Sequence, residues 1–236
     1  MRVVPASNSP FLPYVPPGTG PVFPAGPQPL IYLHHQYGFA ADGSEWTSRI
    51  GSAKAMQPDL AKRPTVTAGG LYSDGARAMQ TGVLPLASAP ALTVILAIDL
   101  PTTVSGILAE IGADYHNGQA FAFLSETNGR VYVPYANGAE VAEAVIRTAA
   151  TDTLIMRLRP ASGAGSAAAQ TLQSLAVGYG SRYYSTGAPA YALADNVLNL
   201  FARNNTAGPA GLAIRQVLIF PAVLTEAQVN EWVATF

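Results

Sequence analysis

From residue 65 to the C-terminus the chain is cut into short runs of β-branched and aromatic residues separated by turn formers, and this punctuation leaves little room for anything but an antiparallel β-sandwich. The runs predict strands over 70–79, 92–100, 106–113, 120–125, 130–135, 141–147, 153–159, 172–179, 197–203 and 212–220. Asn-Gly pairs at Asn117-Gly118, Asn128-Gly129 and Asn137-Gly138 supply the left-handed backbone that tight hairpin turns need, so the middle of the chain reads as a meander. The small-residue stretch 162–169 reads as a loop. A single helix signal closes the chain. Thr225-Glu226-Ala227-Gln228 fits a capping box, Leu224 and Val229 take the staple positions, and Val229, Trp232, Val233 and Phe236 line one apolar face of a helix over 225–236.

The first 29 residues obey different rules. They hold nine of the nineteen prolines and one charged side chain, Arg2. Proline fixes φ and removes a backbone donor, so this segment is expected to be an extended, polyproline-like arm. Phe11, Leu12, Tyr14, Val15, Val22 and Phe23 sit between the prolines. Apolar groups on a stiff arm lose less entropy on docking than on a flexible one, which favours an assembly arm over a disordered tail.

Composition narrows the classes further. Of 236 residues, 49% are hydrophobic and only 11% charged, against roughly 25% in an ordinary soluble domain. The apolar stretch 91–98 is far short of the roughly 18–20 residues a membrane helix needs, so it reads as a buried strand. Sparse charge then points to surface covered by partners, and a homo-oligomer or larger assembly is expected. A net charge of -1 without a basic stripe argues against a nucleic-acid partner. No cysteine is present, which removes disulfides and thiolate metal sites. Prolines and polar residues interrupt the N-terminal residues where a signal peptide would have its apolar core.

Three stretches carry a resemblance. Asp42-Gly43-Ser44-Glu45-Trp46, Ser48-Arg49-Ile50-Gly51 and Lys62-Arg63-Pro64-Thr65 form the first; Leu71-Tyr72-Ser73-Asp74-Gly75 forms the second. The third runs from Leu200-Phe201-Ala202-Arg203-Asn204 through Gly211 and 214–220 to Leu224-Thr225-Glu226-Ala227-Gln228. In order and spacing the chain resembles the concanavalin A-like, laminin G-like jelly-roll domains of the kind found in bacteriophage virion and tail proteins. The resemblance implies an all-β jelly-roll sandwich over 65–236 with a terminal helix, preceded by the arm at 1–29 and by a segment at 30–64 packing on the sandwich. It also implies a structural virion protein, assembled in the host cytoplasm and joined to other virion proteins through residues 1–29. The alternative is an adhesin for host surface glycans, and a less favoured one is a glycan hydrolase.

Candidate binding residues gather in Tyr179, Arg182, Tyr183, Tyr184 and Tyr191, whose rings are suited to stacking on sugars. Catalysis is not expected. Glu110 and Asp114 share a strand face about 13 Å apart at roughly 3.3 Å per residue, while glycosidase pairs sit about 5–9.5 Å apart, so both read as strand-end or loop charges. His34 and His35 are adjacent, which in an extended chain sends them to opposite sides, and with only His116 besides them no zinc site is expected. Cofactors are expected to be none. Calcium on the oxygens of Asp114 and Asn117 stays open, beside their reading as ordinary turn formers.

Overall fold

A computed structural model describes residues 23–87, 91–113, 119–134, 141–147, 149–159, 169–176, 178–179, 181–182, 193–202 and 208–236. In chain order the strands are β1 Ile31–His34, β2 Glu45–Thr47, β3 Lys54–Met56, β4 Thr65–Thr67, β5 Gly70–Asp74, β6 Met79–Val83, β7 Leu92–Asp99, β8 Gly106–Gly112 and β9 Ala120–Ser125. They continue with β10 Arg130–Pro134, β11 Val141–Ile146, β12 Thr151–Arg159, β13 Ala169–Ser174, β14 Gly178–Tyr179, β15 Ser181–Arg182, β16 Val197–Leu200 and β17 Ala210–Phe220. The helix α1 spans Glu226–Val233. Two antiparallel sheets face each other. The first runs β14-β13-β12-β7-β17-β5-β4 with β1 also beside β17, and the second runs β15-β11-β10-β9-β8-β16-β6-β3-β2.

Alternation along the central strands builds two cores. In β7, Val94, Leu96 and Ile98 enter the main core between the sheets, while Ile95 points to the opposite, outer face. Strand β17 divides the same way, with Val217 and Ile219 inward and Leu218 and Phe220 outward. The outward set joins Tyr32, Ile155, Leu224, Val229 and Trp232 in a second core that α1 covers. Thr225 caps this helix, its hydroxyl accepting from the Gln228 N–H while the Gln228 side chain accepts from the Thr225 N–H. An eight-residue helix is too short to persist alone in water, so its packing on this face holds it in place.

Several expectations shift. The predicted strand over 70–79 is two strands in different sheets, β5 and β6, because the chain turns at Gly75 with φ of 107°. Residues 30–64, expected to pack on the sandwich, also lend it strands: β1 pairs with β17, and β2 and β3 form one end of the second sheet. The Asn128-Gly129 turn joins β9 to β10 with Gly129 at φ of 80°. The other two Asn-Gly pairs lie outside the described residues. Among the described residues, no helix is long and apolar enough to cross a membrane.

One irregularity in the first sheet positions the site. Along one edge, β17 pairs with β5 through Ala210–Ile214 and then with β1 through Gln216–Ile219, and its register against β7 shifts between Ile214 and Gln216. A bulge of this kind re-aims the side chains beside it. Gly70, with φ of 120°, starts β5 against this bulge, where a Cβ would collide with the Ile214 carbonyl oxygen.

Candidate functional site

At the bulge, on the outer face beside the helix-covered region, polar and aromatic side chains converge from four segments. Strand β1 brings Tyr32 and His34, the turn after it His35 and Tyr37, the loop after β2 Arg49, and β17 Arg215 and Gln216. The loop is tied to β1 by the Arg49 N–H donating to the Tyr32 carbonyl at 2.8 Å and the Tyr32 N–H donating to the Ser48 hydroxyl at 2.9 Å. The turn is held from below by Trp46, fully buried, whose Nε1 donates to the carbonyls of His34 at 3.2 Å and Tyr37 at 3.0 Å.

The Arg49 guanidinium sits over three rings, with Cζ 4.1 Å from the centroid of Tyr37, 5.1 Å from Tyr32 and 5.6 Å from Phe23. All three distances lie within cation–π range. His34 packs edge-on against both tyrosines at 5.7 Å. The His34 and His35 rings stack at 4.8 Å rather than pointing to opposite sides as the sequence predicts, because β1 ends at His34 and the chain is already turning at His35.

Burial sets the charge state. The His34 pKa is pushed down to about 3 by desolvation first and then by the charges of Arg49, His35 and Arg215. Its Nδ1 accepts from the Gln36 N–H at 3.1 Å, which leaves the proton of the neutral ring on Nε2. His35 is lowered as well, by burial and then by Arg215, against an opposing pull from Asp99. Asp99 accepts from the Thr151 hydroxyl at 2.8 Å and faces Arg215 at 3.7 Å.

The floor of this patch carries its most telling feature. Gln216 is 0% exposed, lies opposite His34 and Ala97 in the ladder, and has neither its amide nitrogen nor its amide oxygen bonded among the described residues. The buried His35 Nδ1 has no partner among them either. An unsatisfied buried polar group costs about 1–3 kcal/mol, and an amide as enclosed as that of Gln216 is reached by a molecule the size of water before any larger ligand.

The residues singled out from sequence fall elsewhere or outside the described set. Tyr179 ends β14 at an edge of the first sheet and Arg182 ends β15 at an edge of the second, while Tyr183, Tyr184 and Tyr191 lie outside the described residues. Glu110 is not the strand-end charge expected: it is 0% exposed within β8, opposite Ala122 and Asn199. Asp114, His116 and Asn117 lie outside the described residues, among which no group of three or more metal-binding side chains forms. Of the arm, Phe11, Leu12, Tyr14, Val15 and Val22 lie outside the described residues. Phe23 stacks on Trp232 at 5.8 Å and meets Tyr32 edge-on at 6.0 Å. Sequence reasoning passed over Arg49 and Gln216 as site residues, although both stand in the stretches that carry the family resemblance.

No protein-family model matches the chain, and no curated protein does. Solved structures do match. The Trypanosoma rangeli sialidase has 13% identity and a TM-score of 0.57 over 85% of this chain and 32% of its own. The binding domain of botulinum neurotoxin serotype D has 12% identity and a TM-score of 0.57 over 88% of this chain and 50% of its own. A GH54 α-L-arabinofuranosidase has 9% identity and a TM-score of 0.55 over 81% and 50%. The chain therefore spans about a third of the sialidase and half of the other two. What they share with it is the fold, an antiparallel jelly-roll β-sandwich.

Proposed function

We propose that this chain is a glycan-binding module whose ligand seats at the β17 bulge, on Tyr37 and Arg49 and over Gln216. The observation that carries the reading is the half-buried Arg49 guanidinium seated on the Tyr37 ring, in one cluster with His34, His35 and the unpartnered amide of Gln216 opposite His34. Sugars present that combination in reverse, with hydroxyls for buried amide groups and C–H faces for aromatic rings. The fold likeness supports the reading: the serotype D toxin domain is known in complex with N-acetylneuraminic acid and the sialidase in complex with sialic acid. Catalysis is not part of the proposal.

The test is a glycan array with the unaltered chain, Gln216→Leu and a Tyr183→Ala, Tyr184→Ala double variant. Leucine removes both unsatisfied amide atoms at nearly the same volume, so Gln216→Leu is expected to keep or raise stability, by up to about 1–3 kcal/mol, while losing glycan binding. Full binding by Gln216→Leu would remove the site from the bulge. Loss confined to the tyrosine variant would move it to the 183–191 segment.

The virion reading remains a second proposal, carried by the proline-rich residues 1–29 and the sparse charge of the chain. There the jelly roll is displayed on a phage particle as an oligomer, and the arm docks to other virion proteins. Because Phe23 already packs on Trp232, the informative truncation removes residues 1–22. The shortened chain is expected to fold and to lose incorporation into particles. Undiminished incorporation rejects the anchoring role.

A further inference from the structure

Among the described residues, Arg63, Arg77, Arg130 and Arg215 each face a carboxylate, at 2.7, 2.7, 3.1 and 3.7 Å. Arg147 and Arg157, both buried, donate instead to carbonyl and side-chain oxygens of the fold, Arg147 to Leu100, Ala149 and Ala150 and Arg157 to Leu224 and Gln173. Arg49 differs from all of them. It is partly buried, fixed at its backbone to β1 and seated on aromatic rings, yet its nearest polar side-chain contact is the Tyr32 hydroxyl at 3.5 Å. No carboxylate among the described residues is in ion-pair range of it. A ring against the face of a guanidinium leaves its N–H edge as the donor surface, and that planar fork matches a carboxylate in two parallel hydrogen bonds.

Resting on the glycan reading above, we propose that the sugar taken by this site carries a carboxylate and that Arg49 holds it. His35 then serves a hydroxyl directly, Gln216 another through an internal water, and Tyr37 the ring face. The charge of the patch agrees. With His34 and His35 neutral at pH 7, Arg49 and Arg215 against Asp99 leave one net positive charge, which one carboxylate balances. A phosphate dianion would overshoot it. Holding the guanidinium in place before the ligand arrives also reduces the entropy lost on binding.

Calorimetric titration of the full chain tests this with an oligosaccharide ending in N-acetylneuraminic acid, one ending in D-glucuronic acid, and the carboxyl methyl ester of each. The ester keeps the shape and removes the charge. In at least one pair the acid is expected to bind about tenfold or more tighter than its ester, the scale of a charge-assisted hydrogen bond, and the margin should shrink as salt rises. In Arg49→Gln the preference should vanish. Equal affinity of acid and ester in every pair that binds overturns the role of Arg49 and leaves the glycan reading standing. Binding of neutral array glycans with no affinity for any acid does the same, and binding of nothing overturns both. Should Arg49→Gln fail to fold, the acid-against-ester comparison in the unaltered chain decides alone.

Discussion

Trp46→Ala is expected to cost about 3–5 kcal/mol, a large share of the roughly 5–15 kcal/mol a domain of this kind has in total. The side chain is fully buried in the main core, where Phe39 stacks on it at 4.5 Å. Its removal leaves a cavity and takes the indole N–H from two carbonyls, that of Tyr37 and that of His34, which keeps the Tyr37 N–H. Trp46→Phe separates these effects. It keeps most of the ring but loses the indole N–H, so its cost should be about 1–3 kcal/mol, and the looser turn should weaken ligand binding more than stability. Urea unfolding gives both costs, and Trp232, the only other tryptophan, reports the transition by fluorescence. A loss below about 1 kcal/mol in Trp46→Ala would contradict the packing described for it.

Trp232→Ala is expected to cost a similar amount, about 3–5 kcal/mol, by a different route. Val229 and Trp232 are the two buried residues of α1, and Trp232 also meets Phe220 at 5.3 Å, Tyr32 at 6.0 Å and Phe23 at 5.8 Å. Without it the helix loses most of its hold, and Ile95, Ile155, Leu218 and Phe220 become exposed on the outer face. Hydrogen exchange should then show the α1 amides unprotected under conditions where β7 and β17 remain protected. Native protection of α1 in the variant would mean that the capping box and Val229 suffice to dock the helix. Because Tyr32 joins this core to the site, through a 3.1 Å contact with the Thr235 hydroxyl and its ring beneath Arg49, ligand affinity should fall as well.

The strands that sequence located well are those that alternate and are long enough to register as a period. The run 120–125 coincides with β9, and 92–100 overlaps β7 to within a residue. The strands it missed are β1 to β4, three or four residues each, and the two-residue β15. Ile31–His34 is buried at every position and shows no alternation, so nothing local marks it as a strand rather than any other buried segment. The capping box was legible because its partners are three residues apart and its hydrogen bonds are local.

The site was legible only as ingredients. Arg49 stood in a quoted motif and the two histidines were noted, but the inference that they diverge assumed an extended chain through a residue where it turns. Gln216 gave no signal, since a glutamine in a β run reads as solvent-facing until the packing around it is known.

Sequence alone determined the all-β class, the main alternating strands, the Gly129 turn and the capped terminal helix, because each follows from backbone sterics and side-chain period within a few residues. Tertiary structure decided that the bulge at Arg215 hands β17 from β5 to β1. It thereby placed Gln216 opposite His34, on the strand β1 to which the Arg49 loop is tied at Tyr32. Register and bulges depend on pairings between residues far apart in the chain, and a shift of one residue turns every side chain to the other face, so no local pattern fixes which groups meet.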